Sequence, residues 1–121
     1  MEKSRTMAAI DVGSASIRLK VIEITEDGGR QTLENVVRSL AIGRDTFSKG
    51  RISAEMVDEV WQVLAGFKKI MREYKVKTKR IVATTAMREA LNRDYVLEQI
   101  RVRTGLTVEV LSRSEERYLT R

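Results

Sequence analysis

The sequence predicts an α/β domain: an antiparallel β-meander followed by an α-β-α-β succession, giving a mixed sheet with helices packed on it. Three observations point there. The first third holds three apolar segments with period-two character separated by short polar turns. Val57, Val60, Leu64, Phe67, Met71 and Tyr74 then recur at spacings of three and four, the stripe of one long amphipathic helix. After that helix, short apolar runs alternate with a second helical pattern.

Met1 to Thr6 is polar and reads as a loose end. Met7 to Val12 is a short apolar run suited to a buried strand. After the turn Asp11-Val12-Gly13-Ser14-Ala15-Ser16, the residues Ile17, Leu19 and Val21 alternate with Ser16, Arg18 and Lys20. Ile22 and Ile24 break the alternation, so this strand either bulges or is buried on both faces. Asp27-Gly28-Gly29 is a turn signal, and Gln31 to Ile42 a third strand with weaker alternation. Gly43 to Arg51, polar with two glycines, reads as a loop that closes over a site or, more plainly, as a solvated linker.

Ser53 is suited to cap the long helix, with Glu55 in its first turn and Trp61 and Ile70 widening its stripe. Lys75 to Lys79 forms a basic linker. Arg80 to Thr84 is a short buried strand that follows a helix, hence parallel to a neighbour. Asn92 reads as the cap of a helix from Arg93 to Thr104 that buries Val96, Leu97 and Ile100, and Gly105 as its stop. Leu106 to Leu111 is a further strand, followed by a helix start at Ser112.

Composition narrows the chemistry. The 121 residues suit one domain or part of a larger one, with 42% hydrophobic and 33% charged residues. There is no cysteine and no histidine. Thiol nucleophiles, disulfides, Ser-His-Asp catalysis and most zinc sites are therefore excluded within the chain. Acid–base work falls to Asp, Glu, Lys or Tyr. A net charge of +6 admits nucleic acid or a smaller phosphate polyanion as partner. With 5% aromatic residues there is little material for a base-stacking platform. No signal peptide or membrane span is visible, so a cytoplasmic location and no membrane partner are expected.

Three places carry candidate chemistry. In the first turn, Gly13 permits positive φ and close approach of the main chain, and successive N–H groups there suit an anion. Asp11 is a candidate cation ligand, and Arg18, on the face of Ser16, either a phosphate contact or a solvated strand position. Thr84-Thr85 and Arg88 stand at a strand-to-helix junction, where N–H groups, hydroxyls and a guanidinium favour anions. An ion pair on the helix surface is the plainer role for Arg88. Ser112 and Glu115 have the spacing of a capping box, which leaves Glu116 available as a general base. A solvated first-turn glutamate is the plainer reading for Glu116.

Three stretches together resemble the N-terminal part of the exopolyphosphatase and guanosine pentaphosphate phosphatase (Ppx/GppA) family. They are AAIDVGSASIRL at Ala8 to Leu19, ATTAMREALNRDYVLEQIRVRTG at Ala83 to Gly105, and VEVLSRSEERYL at Val108 to Leu119. The resemblance implies a ribonuclease H-like fold of the actin-like ATPase superfamily. It also implies magnesium-assisted release of terminal phosphate from polyphosphate or guanosine pentaphosphate. By that resemblance Asp11, Gly13 and Ser14 match the first phosphate loop, with Asp11 positioning Mg2+. Arg88 matches an arginine that contacts phosphate, with Thr85 beside it, and Glu116 matches the catalytic glutamate. Ala15 stands where the family usually has Asn, Arg113 where it has Gly, and Arg117 where it has Ala. Arg117 would lower the pKa of Glu116 or add phosphate affinity.

The family's second phosphate loop lies beyond the matched region. The expectation is therefore one subdomain over residues 1–121, truncated from a two-lobed phosphatase, with little activity alone and a possible homodimer in the full-length protein. Two other readings stay open. One is a non-catalytic binder of polyphosphate or alarmone, motivated by Ala15 and the arginines beside Glu116. The other is a ribonuclease H-like nucleic-acid binder, for which two carboxylates, Asp11 and Glu116, are few.

Overall fold

The computed structural model describes residues 4–119. Strands β1 (Arg5–Val12), β2 (Ser16–Ile24) and β3 (Arg30–Ser39) form the meander. Helices α1 (Ile42–Lys49) and α2 (Ala54–Glu73) follow, then β4 (Thr78–Ala83), α3 (Thr85–Arg88), α4 (Arg93–Thr104), β5 (Glu109–Val110) and α5 (Arg113–Leu119). The sheet order is β3-β2-β1-β4-β5. β1 pairs antiparallel with β2 and parallel with β4, as a crossover through α2 requires.

Alternation gives the sheet two different faces. Ala8, Ile10 and Val12 of β1 stand in register with Val21, Leu19 and Ile17 of β2, and all six are buried. Ile81 and Ala83 of β4 extend the same face. Against it pack the predicted α2 residues Val57, Val60, Leu64, Phe67 and Met71, with Val96 and Ile100 of α4. Burying this set is the main source of stability, since each large apolar side chain contributes about 1.5–3 kcal/mol. Tyr74, half-buried at the end of the stripe, donates its hydroxyl to Glu34 at 2.8 Å. The opposite face carries Ala9, Asp11, Arg18 and Lys20, all exposed.

Several sequence readings hold. Ser53 Oγ accepts from Met56 N at 3.2 Å, capping α2. Gly28 takes φ 88 in the β2–β3 turn. The broken alternation after Val21 is a bulge: Val21 faces Glu34, Ile22 faces Thr32, and Leu33 is the extra residue on β3. Among the described residues, no helix is long and apolar enough to cross a membrane.

Other readings are corrected. β1 begins at Arg5, so Arg5 and Thr6 belong to the sheet, while Met1 to Lys3 lie outside the described residues. The third strand ends at Ser39, and the supposed loop from Gly43 to Arg51 is largely helix α1, stopped by left-handed Gly50. Asn92 makes no side-chain cap. It instead brackets Ile52, accepting from Ile52 N at 3.0 Å and donating to Ile52 O at 2.8 Å. The span Leu106 to Leu111 pairs as strand only at Glu109–Val110.

Candidate active site

The site forms where β1 and β4 end side by side. Val12 is in register with Ala83, so the Gly13–Ser14 turn and the Thr84–Thr85 junction leave the sheet together. Gly13 does not take a positive φ. Its N–H donates to Ser16 O at 2.9 Å and so closes the turn. Glycine is favoured there because a Cβ would stand 3.3 Å from that carbonyl.

Helix α1, missed in the sequence, braces this corner. Gly43 N donates to Ser14 O at 2.8 Å, and a Cβ on Gly43 would stand 2.9 Å from Ser14 Cβ. The buried Thr46 hydroxyl donates to Ala86 O at 2.8 Å. One short helix therefore ties the first turn to α3. The available signals were Ile42 and Thr46 four apart, and Gly50 as a helix stop.

At the start of α5 the capping box is present. Ser112 N donates to Glu115 Oε1 at 2.9 Å, and Glu115 N to Ser112 Oγ at 3.2 Å. The Ser112 backbone N–H, and after it the Ser112 side chain, hold the Glu115 carboxyl below its ordinary range. Glu116 turns inward instead. It accepts from Arg88 Nη1 at 3.0 Å, with the Thr85 hydroxyl at 3.4 Å. Arg88 is mostly buried, with 14% of its side chain exposed. The same Nη1 donates to Leu111 O at 2.8 Å, and Nη2 to Thr85 Oγ1 at 3.1 Å. Arg88 is thus neither a surface ion pair nor a wholly open fork. Its Nε–H is buried without a hydrogen-bond partner, Glu89 lying 3.6 Å away.

Asp11 and Glu116 line one cavity of about 220 Å³ with Thr84, Val82, Leu111 and Arg80. Although Asp11 is exposed as a residue, its carboxyl is pushed above its ordinary range. Partial burial is the main cause, Arg18 opposes it, and the negative field of Glu116 reinforces it. Arg18 is the register partner of Asp11 on β2 and does not line the cavity; nor do Gly13, Ser14, Thr85 and Arg88. Arg80, read in the sequence as the start of a buried strand, is instead exposed on the rim, with its guanidinium bonded to both Glu109 oxygens at 3.1 and 3.0 Å. Among the described residues no cluster of three metal-ligating side chains occurs.

The family model for Ppx/GppA phosphatases matches residues 21–121. The chain belongs to this family. It is 31% identical over 109 residues to a guanosine-5'-triphosphate,3'-diphosphate pyrophosphatase of Vibrio atlanticus, covering 90% of this chain and 22% of that protein. It is 30% identical to exopolyphosphatase 1 of Mycobacterium leprae, covering 94% of this chain and 34% of that one. The crystal structure of the Aquifex aeolicus Ppx/GppA family member superposes with a TM-score of 0.89 at 34% identity, over 93% of this chain and 37% of that one. The sheet with its packed helices is therefore the ribonuclease H-like fold of the actin-like ATPase superfamily. The chain spans about a fifth to a third of the length of these curated relatives.

Proposed function

We propose that this chain is the N-terminal lobe of a phosphohydrolase that releases terminal phosphate from polyphosphate or guanosine pentaphosphate. The observation that carries the reading is the shared cavity of Asp11 and Glu116, with Arg88 and Thr85 bonded to the second carboxylate. One relative is named an exopolyphosphatase and another a guanosine-5'-triphosphate,3'-diphosphate pyrophosphatase, which supports this substrate class. The second half of the phosphate cradle would come from a further lobe, as the 37% coverage of the Aquifex aeolicus structure suggests.

In this reading Glu116 orients a water and accepts its proton as the oxygen attacks the terminal phosphorus. The phosphoanhydride bond breaks, and the shortened chain leaves with its oxygen charged. Glu116 suits this role because Arg88 and Thr85 fix its carboxylate. Thr85 and the Ser14 turn supply donors for phosphate oxygens. Arg88 has one buried N–H in reserve. Such a donor costs stability when unpaired and gains a partner once an anion arrives. Positioning and charge neutralisation carry most of the acceleration in phosphoryl transfer.

The donor set also fits a divalent cation. Partial burial and, secondarily, the field of Glu116 raise the proton affinity of Asp11, and a hard cation bound there would relieve that cost. Asp11 would hold Mg2+, and bound there it would neutralise charge on the phosphate chain. Phosphate release by the full-length protein, measured on polyphosphate and on guanosine pentaphosphate, tests the assignment. Glu116→Gln is expected to lower turnover at least about 100-fold, the lower range for losing a general base. Turnover unchanged on both substrates would refute it.

A further inference from the structure

The opposite pole of the sheet carries a second feature. Where α2 ends and β4 begins, a cavity of about 270 Å³ is lined by Lys68, Arg72, Lys75 and Lys79, with Met71 and Val76. Four of its six lining residues are cationic and none is acidic. Among the described residues, none of the four enters an ion pair. Lys79 is in register with buried Ala8 and shares its face of the sheet, whereas Arg80 and Asp11, which line the other cavity, alternate onto the opposite face, so the sheet itself separates the two.

Backbone geometry singles out one of these lysines. Helix α2 ends in a Schellman turn: Val76 N donates to Met71 O at 3.0 Å, and Lys75 N to Arg72 O at 3.0 Å. The residue after the cap takes the left-handed conformation, where glycine is unstrained. Here it is Lys75, with φ 55, the one non-glycine residue with positive φ among those described. A strained residue persisting at a polar site is an indication of use. Helix-end electrostatics account for Arg72, and for Lys68, whose Nζ donates to Thr104 O at 2.6 Å. They do not account for Lys79, which lies on a strand, or for a lysine in a glycine's place.

We infer that this pocket is a second anion site, built for an unadorned phosphate chain and separate from the Asp11 cavity. The chemistry favours such a chain over nucleic acid. Single-stranded nucleic acids are held by aromatic stacking as well as charge, and no aromatic side chain lines this pocket. A long phosphate chain reaching both poles would be retained by avidity beyond the strength of either site.

The test uses the chain labelled with 15N and titrated with sodium tripolyphosphate, with a thymidine oligonucleotide as comparison. The inference expects amide shifts at Lys75, Val76 and Lys79 that saturate. It expects Lys75→Gly and Lys79→Gln each to weaken binding there roughly three- to tenfold, as for loss of one phosphate-contacting cation. Lys75→Gly removes the strain, so its melting temperature should not fall, which separates lost affinity from lost folding. Shifts confined to Ser14, Thr85 and Glu116 would overturn the inference. So would unchanged affinity in both variants. Equal binding of the oligonucleotide at the same amides would overturn the assignment to a phosphate chain.

Discussion

Removing the Arg88 guanidinium probes the site most sharply without any need for turnover. Arg88→Met keeps the length and apolar stem but deletes every donor. Leu111 O loses its 2.8 Å bond, and an unsatisfied buried carbonyl costs about 1–3 kcal/mol. Glu116 loses a charged partner at 3.0 Å, but with 28% of its side chain exposed it recovers water, so this loss is about 1 kcal/mol. Against these stands a gain, because the variant no longer buries the unpartnered Nε–H. The net expectation is a loss of about 1–2 kcal/mol. At about 4 °C per kcal/mol for a chain of this size, that is a fall of about 4–8 °C in Tm. Combined with Glu116→Gln in a double-mutant cycle read by urea denaturation, it should give a coupling of about 1–2 kcal/mol. Strictly additive variants would refute the claim that Arg88 holds Glu116 in solution.

Asp11→Asn should raise Tm at neutral pH. The folded state holds the Asp11 proton more tightly than the unfolded state does, so ionised Asp11 costs stability above its folded pKa. Thermal scans across pH should show the gain shrink as pH falls and vanish below 3.8, where Asp11 is protonated in both the folded and the unfolded chain. Glu115 has the opposite sign. Its lowered pKa contributes stability present above 4.5 and lost as pH falls through the folded value, so Glu115→Gln should flatten the acid limb of the same scans. Gly43→Ala would force its Cβ to within 2.9 Å of Ser14 Cβ, and should cost about 1–3 kcal/mol in denaturant unfolding while shifting the Ser14 amide resonance.

Local signals made much of this legible in the sequence. The α2 stripe could be read because its spacing is periodic and long, and nearly all of it is core. The Ser112–Glu115 box could be read because both partners lie within one turn, and their pairing leaves Glu116 to meet Arg88 instead. Helix α1 was illegible for the converse reason. Ala41 gives it no side-chain cap, and Gly43 in its first turn looks like a breaker. Only the folded chain shows that glycine is needed there for α1 to approach Ser14. Asn92 has the composition of a cap but serves Ile52, forty positions away. Likewise, the Arg88–Glu116 pair spans 28 residues and two helices, a contact that no local spacing encodes.

The account depends most on the convergence of the first turn, the α3 start and the α5 start on one anion and cation site. Paramagnetic broadening by Mn2+, added in trace amounts with inorganic phosphate to the 15N-labelled chain, measures that convergence directly. Broadening of the Asp11, Ser14, Thr85 and Glu116 amides together, abolished by Asp11→Asn, is the predicted result. Broadening that spares Thr85 and Glu116, or that survives Asp11→Asn, would contradict it.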